Sequence, residues 1–142
     1  MSDLIDYIKE IKKLEDLIII VGYPKETADK EALRLAEFAE YGIHTGTIRP
    51  FITISQPSVI KLYKKMLTKA LNNPNFTCDD FIQDFIPLAI EEIKKPILDQ
   101  SITPKIKSIT ERIKLRKGSP YPFDTLRDTG RMVNSVTSLV KK

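Results

Sequence analysis

The stretch Leu126-Arg127-Asp128-Thr129-Gly130-Arg131-Met132-Val133-Asn134-Ser135-Val136 lies near the end of the chain and combines three local signals. Asp128 and Thr129 are good helix N-cap residues, because their side-chain oxygens can accept hydrogen bonds from the free N–H groups of a first helical turn. Gly130 has no Cβ, so the backbone can turn sharply there. The following residues, up to Val140, have the β-branched content of a strand. The stretch therefore predicts a structural turn, with the option of one helical turn, before a terminal strand.

Asp-Thr-Gly is also the sequence of the catalytic loop of aspartic proteases, in which two carboxylates share one proton. The chain holds no second Asp-Thr-Gly, so a homodimer would have to supply the other carboxylate. The flanking residues are too polar for such a buried loop. A capped turn is therefore the preferred interpretation, and we expect no catalytic residue in this segment, which extends over residues 124–141.

A second apolar segment lies near the start of the chain. The run Leu17-Ile18-Ile19-Ile20-Val21 is continuous and β-branched, and it is followed by Gly22 and Pro24. This pattern predicts a buried strand that is central in its sheet. The two clearest strands, 17–23 and 135–141, are far apart in sequence, and we expect them to be neighbours.

Helical periodicity dominates the rest of the chain. Residues 2–15 carry apolar residues at i, i+3, i+4 and i+7 and predict an amphipathic N-terminal helix. Capping residues, glycine and proline delimit four further helices. We expect the first two from Thr27 or Asp29 to Gly42 and over 59–72 behind Ser58. The third is expected from 79 behind Thr77, with a kink or a break at Pro87 and an end at Pro96, and the fourth from Thr103-Pro104 to 117.

An extended loop is predicted over residues 43–57, because Gly46, Pro50 and Pro57 interrupt any helical period. A stretch of this length without regular structure is often functional in a compact domain. Within it, residues 51–54 alternate weakly and are compatible with a short strand. Before the loop, small residues form a stripe on the second helix that would let another backbone approach closely, and Glu37 and Glu40 are expected on a solvated edge.

These elements predict a single α+β domain over residues 1–142, in which several helices cover a small, mostly antiparallel sheet. The composition, 42% hydrophobic and 30% charged residues, is that of a soluble globular protein. No apolar run reaches the length of a membrane span and no signal peptide opens the chain, so no membrane association is expected.

The composition also bears on chemistry. The single Cys78 excludes an internal disulfide and fits a reducing compartment. One cysteine and one histidine, His44, are too few for an ordinary structural zinc site. No phosphate-binding loop or nucleophile–histidine–carboxylate set is present, so the sequence predicts neither a catalytic site, a metal site nor a cofactor, and it favours a protein that is not an enzyme.

The most basic stretch lies between Lys105 and Lys117 in a chain of net charge +4. We expect Ile106, Ile109 and Ile113 to form the apolar side of this helix. Its cations have two interpretations, a solvated helix face or a surface that faces DNA or an acidic protein. The candidate DNA-facing residues are Lys105, Lys107, Arg112, Lys114, Arg116 and Lys117. A small basic nucleic-acid-binding protein that uses this helix is therefore the alternative function.

Three stretches occur in an order that resembles a known family. They are Leu35-Ala36-Glu37-Phe38-Ala39-Glu40-Tyr41-Gly42, then Arg49-Pro50-Phe51, and finally Asp-Thr-Gly-Arg-Met-x-x-Ser-Val from Asp128 to Val136. In order and spacing the chain resembles the tail-completion proteins of long-tailed bacteriophages, which act in virion morphogenesis and join head to tail in the neck.

The resemblance implies a structural virion protein made in the host cytoplasm and incorporated at the neck or tail end. It implies a cyclic homo-oligomeric ring, with a hexamer favoured over a dodecamer, that contacts other phage neck and tail proteins while DNA passes without sequence readout. In the family, the region around the Arg-Pro-Phe loop commonly lies in subunit contacts. The corresponding candidates for a subunit interface here are Tyr41, Arg49, Pro50 and Phe51.

Overall fold

The computed structural model describes residues 2–42, 46–102, 105–127 and 130–141. These residues form six helices and an antiparallel sheet of two strands, which confirms the predicted α+β class with a small antiparallel sheet. The elements are α1 (Ser2–Glu15), β1 (Ile18–Gly22), α2 (Lys30–Tyr41), α3 (Phe51–Leu71), α4 (Cys78–Leu98), α5 (Ser108–Lys117), α6 (Arg131–Asn134) and β2 (Thr137–Lys141). No helix among the described residues combines the length and the apolar character needed to cross a membrane.

The two strands pair antiparallel, with Ile18 opposite Lys141 and Gly22 opposite Thr137. This confirms that the two sequence-distant strands are neighbours. The predicted central position of β1 is wrong, because β2 is its only partner strand among the described residues. Ile19 and Val21 pack towards the helices, whereas Ile18 lies on the other face and is 58% exposed.

Helices α3 and α4 form a long antiparallel pair, and each has 21 residues. An apolar cluster lies at each end of the pair. The cluster at the end we call the aromatic end, next to α1, is built around Phe76, Phe81, Phe85 and Ala89. The cluster at the end we call the turn end, next to α2 and α6, contains Ala36, Ala39, Phe51, Ile93, Ile97, Ile102, Met132, Val133 and Val136.

The predicted loop 43–57 is too long, because α3 begins at Phe51 rather than at residue 59. Residues 51–54 are helical and not a strand. The physical reason lies in α2, where the carboxylate of Glu40 accepts hydrogen bonds from the backbone N–H groups of Ile52 and Thr53. These are donors of a first helical turn, which has no partner within its own helix. Glu40 therefore caps α3, and its expected place on a solvated edge is also wrong.

The other helix boundaries agree in part with the sequence. Asp29 caps α2, Gly42 ends it with a φ of 68°, and Thr77 caps α4. Helix α4 runs without a break through Pro87 and continues to Leu98, so the expected end at Pro96 is wrong. Pro96 and Ile97 are both buried. Helix α5 begins at Ser108 rather than at Thr103-Pro104, and those two residues lie outside the described ones.

Candidate functional site

The three stretches that carry the family resemblance meet around one cavity at the turn end, of about 270 Å³, which we call the motif cleft. Helix α2 contributes Leu35 and Phe38, the segment before α3 contributes Arg49, and the C-terminal turn contributes Gly130 and Met132. Parts of α5 close the remaining side. Residues that are separated by more than half of the chain thus line a single, largely apolar depression.

Gly130 fixes the start of the turn on the C-terminal side of the cleft. Its φ is +87°, a left-handed backbone conformation that residues with a Cβ rarely adopt. A Cβ built at this position would lie 3.0 Å from Nδ2 of Asn134. The expected turn is confirmed here, and α6 supplies one helical turn before β2. The other two residues of the predicted structural turn, Asp128 and Thr129, lie outside the described residues.

Arg131 joins this turn to the start of α2. Its guanidinium donates two hydrogen bonds of 2.8 Å to the carboxylate of Asp29, which also accepts from the N–H of Ala32. These bonds, chiefly those from Arg131, hold the pKa of Asp29 below its ordinary value. Sequence reasoning found Asp29 as a cap but missed its partner, because nothing local relates two residues so far apart.

Lys114 is the residue whose predicted role the structure corrects most clearly. Only 7% of it is exposed, and Nζ donates to the carbonyl oxygens of Tyr121, Asp124 and Arg127 at 3.2, 2.7 and 2.9 Å. An ammonium group has three donors, and all three are directed at the coil that follows α5. Lys114 therefore holds this coil and does not face DNA.

The apolar side of α5 also differs from the expectation. Ile113 is 50% exposed, and the side chain of Ile109 lies outside the described ones. Lys114 is buried because it donates hydrogen bonds to backbone carbonyls of an irregular segment. The spacing of apolar residues in the sequence gives no sign of such a contact. The other five candidate DNA-facing residues, Lys105, Lys107, Arg112, Arg116 and Lys117, have exposed side chains.

Arg127 lies on the wall of the cleft, over the ring of Tyr121. Its guanidinium carbon is 3.7 Å from the ring centroid, and an amino group is 3.7 Å from the carboxylate of Asp124. Its Nε is buried and has no hydrogen-bond partner among the described residues. Cation–π contact and the ion pair together hold a positive charge beside the apolar cleft.

The four predicted subunit-contact residues do not form one surface. Phe51 is fully buried and packs edge-on against Tyr23, with 6.2 Å between ring centroids. Its assignment to an interface is wrong, because the side chain belongs to the core. Tyr41 is 71% exposed, Pro50 is half-buried, and Arg49 lines the motif cleft with its guanidinium donating to the carbonyl of Lys105.

The small-residue stripe of α2 is likewise internal. Ala32, Ala36 and Ala39 are buried, and the latter two belong to the core cluster of the turn end. The close backbone approach that such a stripe allows is therefore used by the chain itself. Leu35 is the member of the stripe that reaches the surface, at 37% exposure, on the edge of the motif cleft.

The described residues contain no group of three or more histidine, cysteine or acidic side chains placed to hold a metal ion. Cys78 is buried at the start of α4, and burial, followed by the charges of Asp79 and Glu10, raises the pKa of its thiol. A thiol with a raised pKa is a poor nucleophile at neutral pH. The backbone N–H of Cys78 donates to the carboxylate of Glu10, which ties α1 to α4.

Comparison with models of protein families, with curated proteins and with solved structures finds no match for this chain.

Proposed function

We propose that this protein is a structural component of the virion of a long-tailed bacteriophage, and that it forms a ring in the neck or at the tail end that joins head to tail. The observation that carries the proposal is the convergence of the three resembling stretches on the motif cleft. In sequence these stretches are separate and individually weak. Their meeting at one place is what a shared structural element of a family would produce.

The surface around the cleft supports a contact role. The lining is largely apolar and includes Leu35 and Phe38 together with the cations of Arg49 and Arg127. Arginine and aromatic residues are enriched where proteins contact each other. Exposed Tyr41 adds an aromatic side chain at the end of α2. With Phe51 removed from the set, Tyr41, Arg49 and Pro50 are the residues to which we assign the subunit contact.

The test is the oligomeric state of the purified full chain, measured by mass photometry and imaged in negative stain. We expect a discrete cyclic oligomer, a hexamer rather than a dodecamer, that binds no free DNA. Tyr41→Asp should weaken the ring because a charge would be desolvated at the contact, and Tyr41→Phe is the matched control. A protein that stays monomeric at every concentration would contradict the proposal.

A second candidate function, a small nucleic-acid-binding protein, is favoured by the exposed cations on α5 and just before it. Binding of free DNA by a monomer, weakening steeply as salt is added, would support it. The double variant Arg112→Glu with Arg116→Glu should then abolish binding. In the virion proposal the same variant keeps the ring intact and reduces only DNA retention or infectivity.

A further inference from the structure

The two-stranded sheet is open on both sides. Among the described residues, the only backbone hydrogen bonds made by Ile18–Gly22 and Thr137–Lys141 join these strands to each other. The outer edge of each strand therefore presents N–H and C=O groups that can pair with another strand. Natural edge strands are usually protected by charge, proline or a bulge. Strand β1 has neither a charged residue nor a proline.

Strand β1 is also more apolar than its position at the edge of the sheet in a single copy requires. A continuous apolar run is typical of a strand that is covered on both faces and flanked on both sides. In the single chain, β1 has one neighbour and Ile18 is 58% exposed. The sequence thus has the pattern of a central strand, and the isolated copy leaves that strand at an edge.

A groove of about 520 Å³ lies along the open side of β1. It is lined by Leu17, Ile19 and Val21 from the strand region and by residues of α3 and α4, such as Val59 and Phe85, and no residue of β2 lines it. A strand added at the usual spacing of about 4.8 Å would place every second side chain into this groove.

We propose that the occupant is β2 of a second copy, which pairs antiparallel with the open edge of β1 so that successive copies extend one sheet. By the register within one chain, Val140 shares a face with Ile19 and is 38% exposed. In the neighbour, the same residue would point into the apolar groove. The contact would bury Val140, which a single copy leaves partly exposed, and would cover the side of β1 that lines the groove.

Charge complementarity supports this occupant. Two exposed acidic residues, Glu15 and Asp16, immediately precede β1, and β2 ends at the exposed Lys141, whose ammonium contacts Glu26 of its own chain. Antiparallel pairing brings the end of one strand beside the start of the other, so Lys141 of one copy would come next to both acids of the other. The edge of β1 and the edge of β2 are different surfaces, and each copy would use both.

A contact between two different surfaces is heterologous, and it generates a ring when the rotation between copies closes. The ring closure rests on the function proposed above, whereas the pairing itself needs only two copies. A closed ring would leave no sheet edge open, which removes the aggregation hazard of an unprotected β1.

The first test compares Ile18→Lys with Leu115→Lys in the full chain by mass photometry and thermal unfolding. Both wild-type side chains are more than half exposed, 58% and 53%. Ile18→Lys also places a lysine opposite Lys141 of the same chain, so we expect a small fall in its unfolding temperature and none in that of Leu115→Lys. Lysine on an edge strand opposes pairing, and here it would also meet Lys141 of the neighbouring copy. We expect Ile18→Lys to be monomeric and Leu115→Lys to assemble like the wild type.

The second test mixes two variants, Ile20→Cys and Leu139→Cys, under mild oxidation. These residues are direct partners in the register, and a disulfide needs Cα atoms within about 7 Å. Because the two cysteines are on different chains, a covalent dimer in the mixture reports pairing between copies, and each variant alone is the control. This readout decides the question even where Ile18→Lys fails to fold.

The outcomes separate the two proposals. Loss of assembly in Ile18→Lys, together with the mixed disulfide, supports pairing of the sheet edges. A normal ring in Ile18→Lys without a mixed disulfide overturns the edge contact and leaves the proposed ring in place. A wild type that is monomeric at every concentration and forms no mixed disulfide overturns both.

Discussion

The aromatic end and the turn end of the α3–α4 pair are stabilised in different ways. At the aromatic end, rings pack on rings: Tyr63 lies 5.6 Å from Phe81 and 5.3 Å from Phe85, centroid to centroid, and the two phenylalanines stack at 5.8 Å. At the turn end, an apolar cluster is accompanied by irregular coil that buried polar groups hold in place. Gln100 binds both the N–H and the C=O of Thr125, and Lys114 binds three further carbonyls.

The difference teaches what each end can do. Apolar packing is non-directional and tolerates changes that preserve volume. Hydrogen bonds to backbone carbonyls fix positions, and a buried carbonyl without its donor is costly. The turn end therefore has a defined backbone shape at the surface, which is compatible with the contact role proposed above.

The largest effect should come from Phe51, a core residue of the turn end. Phe51→Ala removes a fully buried ring, and we expect a loss of about 3–5 kcal/mol in the free energy of unfolding. Tyr41→Ala, at 71% exposure, is the control and should change stability by no more than about 0.5 kcal/mol. A denaturant titration measures both.

The same pair distinguishes a core residue from an interface residue. If Phe51→Ala folded with nearly unchanged stability but no longer assembled into the cyclic oligomer, the side chain of Phe51 would belong to the subunit contact after all. We expect the opposite order, with folding affected first.

A substitution at Lys114 tests whether buried polar groups stabilise the turn end. Lys114→Met keeps the length of the side chain and removes the three hydrogen bonds, so that three carbonyls lose their donor. We expect a loss of about 2–4 kcal/mol, since each unsatisfied buried group costs roughly 1–3 kcal/mol and the coil can relax towards water. Arg116→Met, on the exposed side of α5, is the matched control.

Hydrogen exchange gives the local readout for the same variant. Amides of residues 119–127 should lose protection in Lys114→Met while those of the aromatic end keep it, as long as opening is local. An equal loss of amide protection at both ends would mean that they unfold as one unit and are not stabilised separately.

Sequence reasoning succeeded where an element buries its own apolar face. It predicted α1, the caps of α2 and α4, the α+β class and the pairing of the two strands. It failed where a distant polar group decides the local structure. The start of α3 depends on Glu40 from another helix, and the orientation of α5 depends on carbonyls that attract Lys114.

The motif cleft illustrates the same limit. The sequence supplied its three stretches and their order, but it placed Phe51 at the surface and Lys114 towards solvent. Nothing in the local sequence distinguishes a buried aromatic residue after a proline from an exposed one. The same holds for a buried lysine within a basic run. Only the packing of α2, α3 and the C-terminal turn around one another determines which side chains are enclosed.

Gly130 provides a smaller effect within the turn end. Gly130→Ala introduces a Cβ at a φ of +87° and within 3.0 Å of Asn134, whereas Gly118→Ala, at a φ of +74°, meets nothing within 4 Å. A left-handed conformation costs a residue with a Cβ about 1–2 kcal/mol. Both variants should lose that amount, and Gly130→Ala should lose more because Asn134 has to move. Equal losses in denaturant titrations would show that the contact with Asn134 has no energetic consequence.

The smallest effect concerns the pair of Arg131 and Asp29, which ties the turn to α2 at the surface. The pKa of Asp29 is lowered in the folded protein, first by the hydrogen bonds from Arg131 and then by the N–H of Ala32. A lowered folded-state pKa means that the unfolded chain binds the proton more tightly, so the stabilisation is complete above the ordinary value of 3.8 and is lost as the pH falls through the lowered one.

Arg131→Gln should therefore be less stable than the wild type near neutral pH, and the difference should shrink on acidification below the ordinary value. Arg116→Gln, whose side chain has no ion pair within the described part of the chain, is the control and should show no such convergence. Because the pair is exposed, the difference is small, and a gap between wild type and Arg131→Gln that stays constant from neutral to acidic pH would mean that the guanidinium acts through packing rather than through the charge of Asp29.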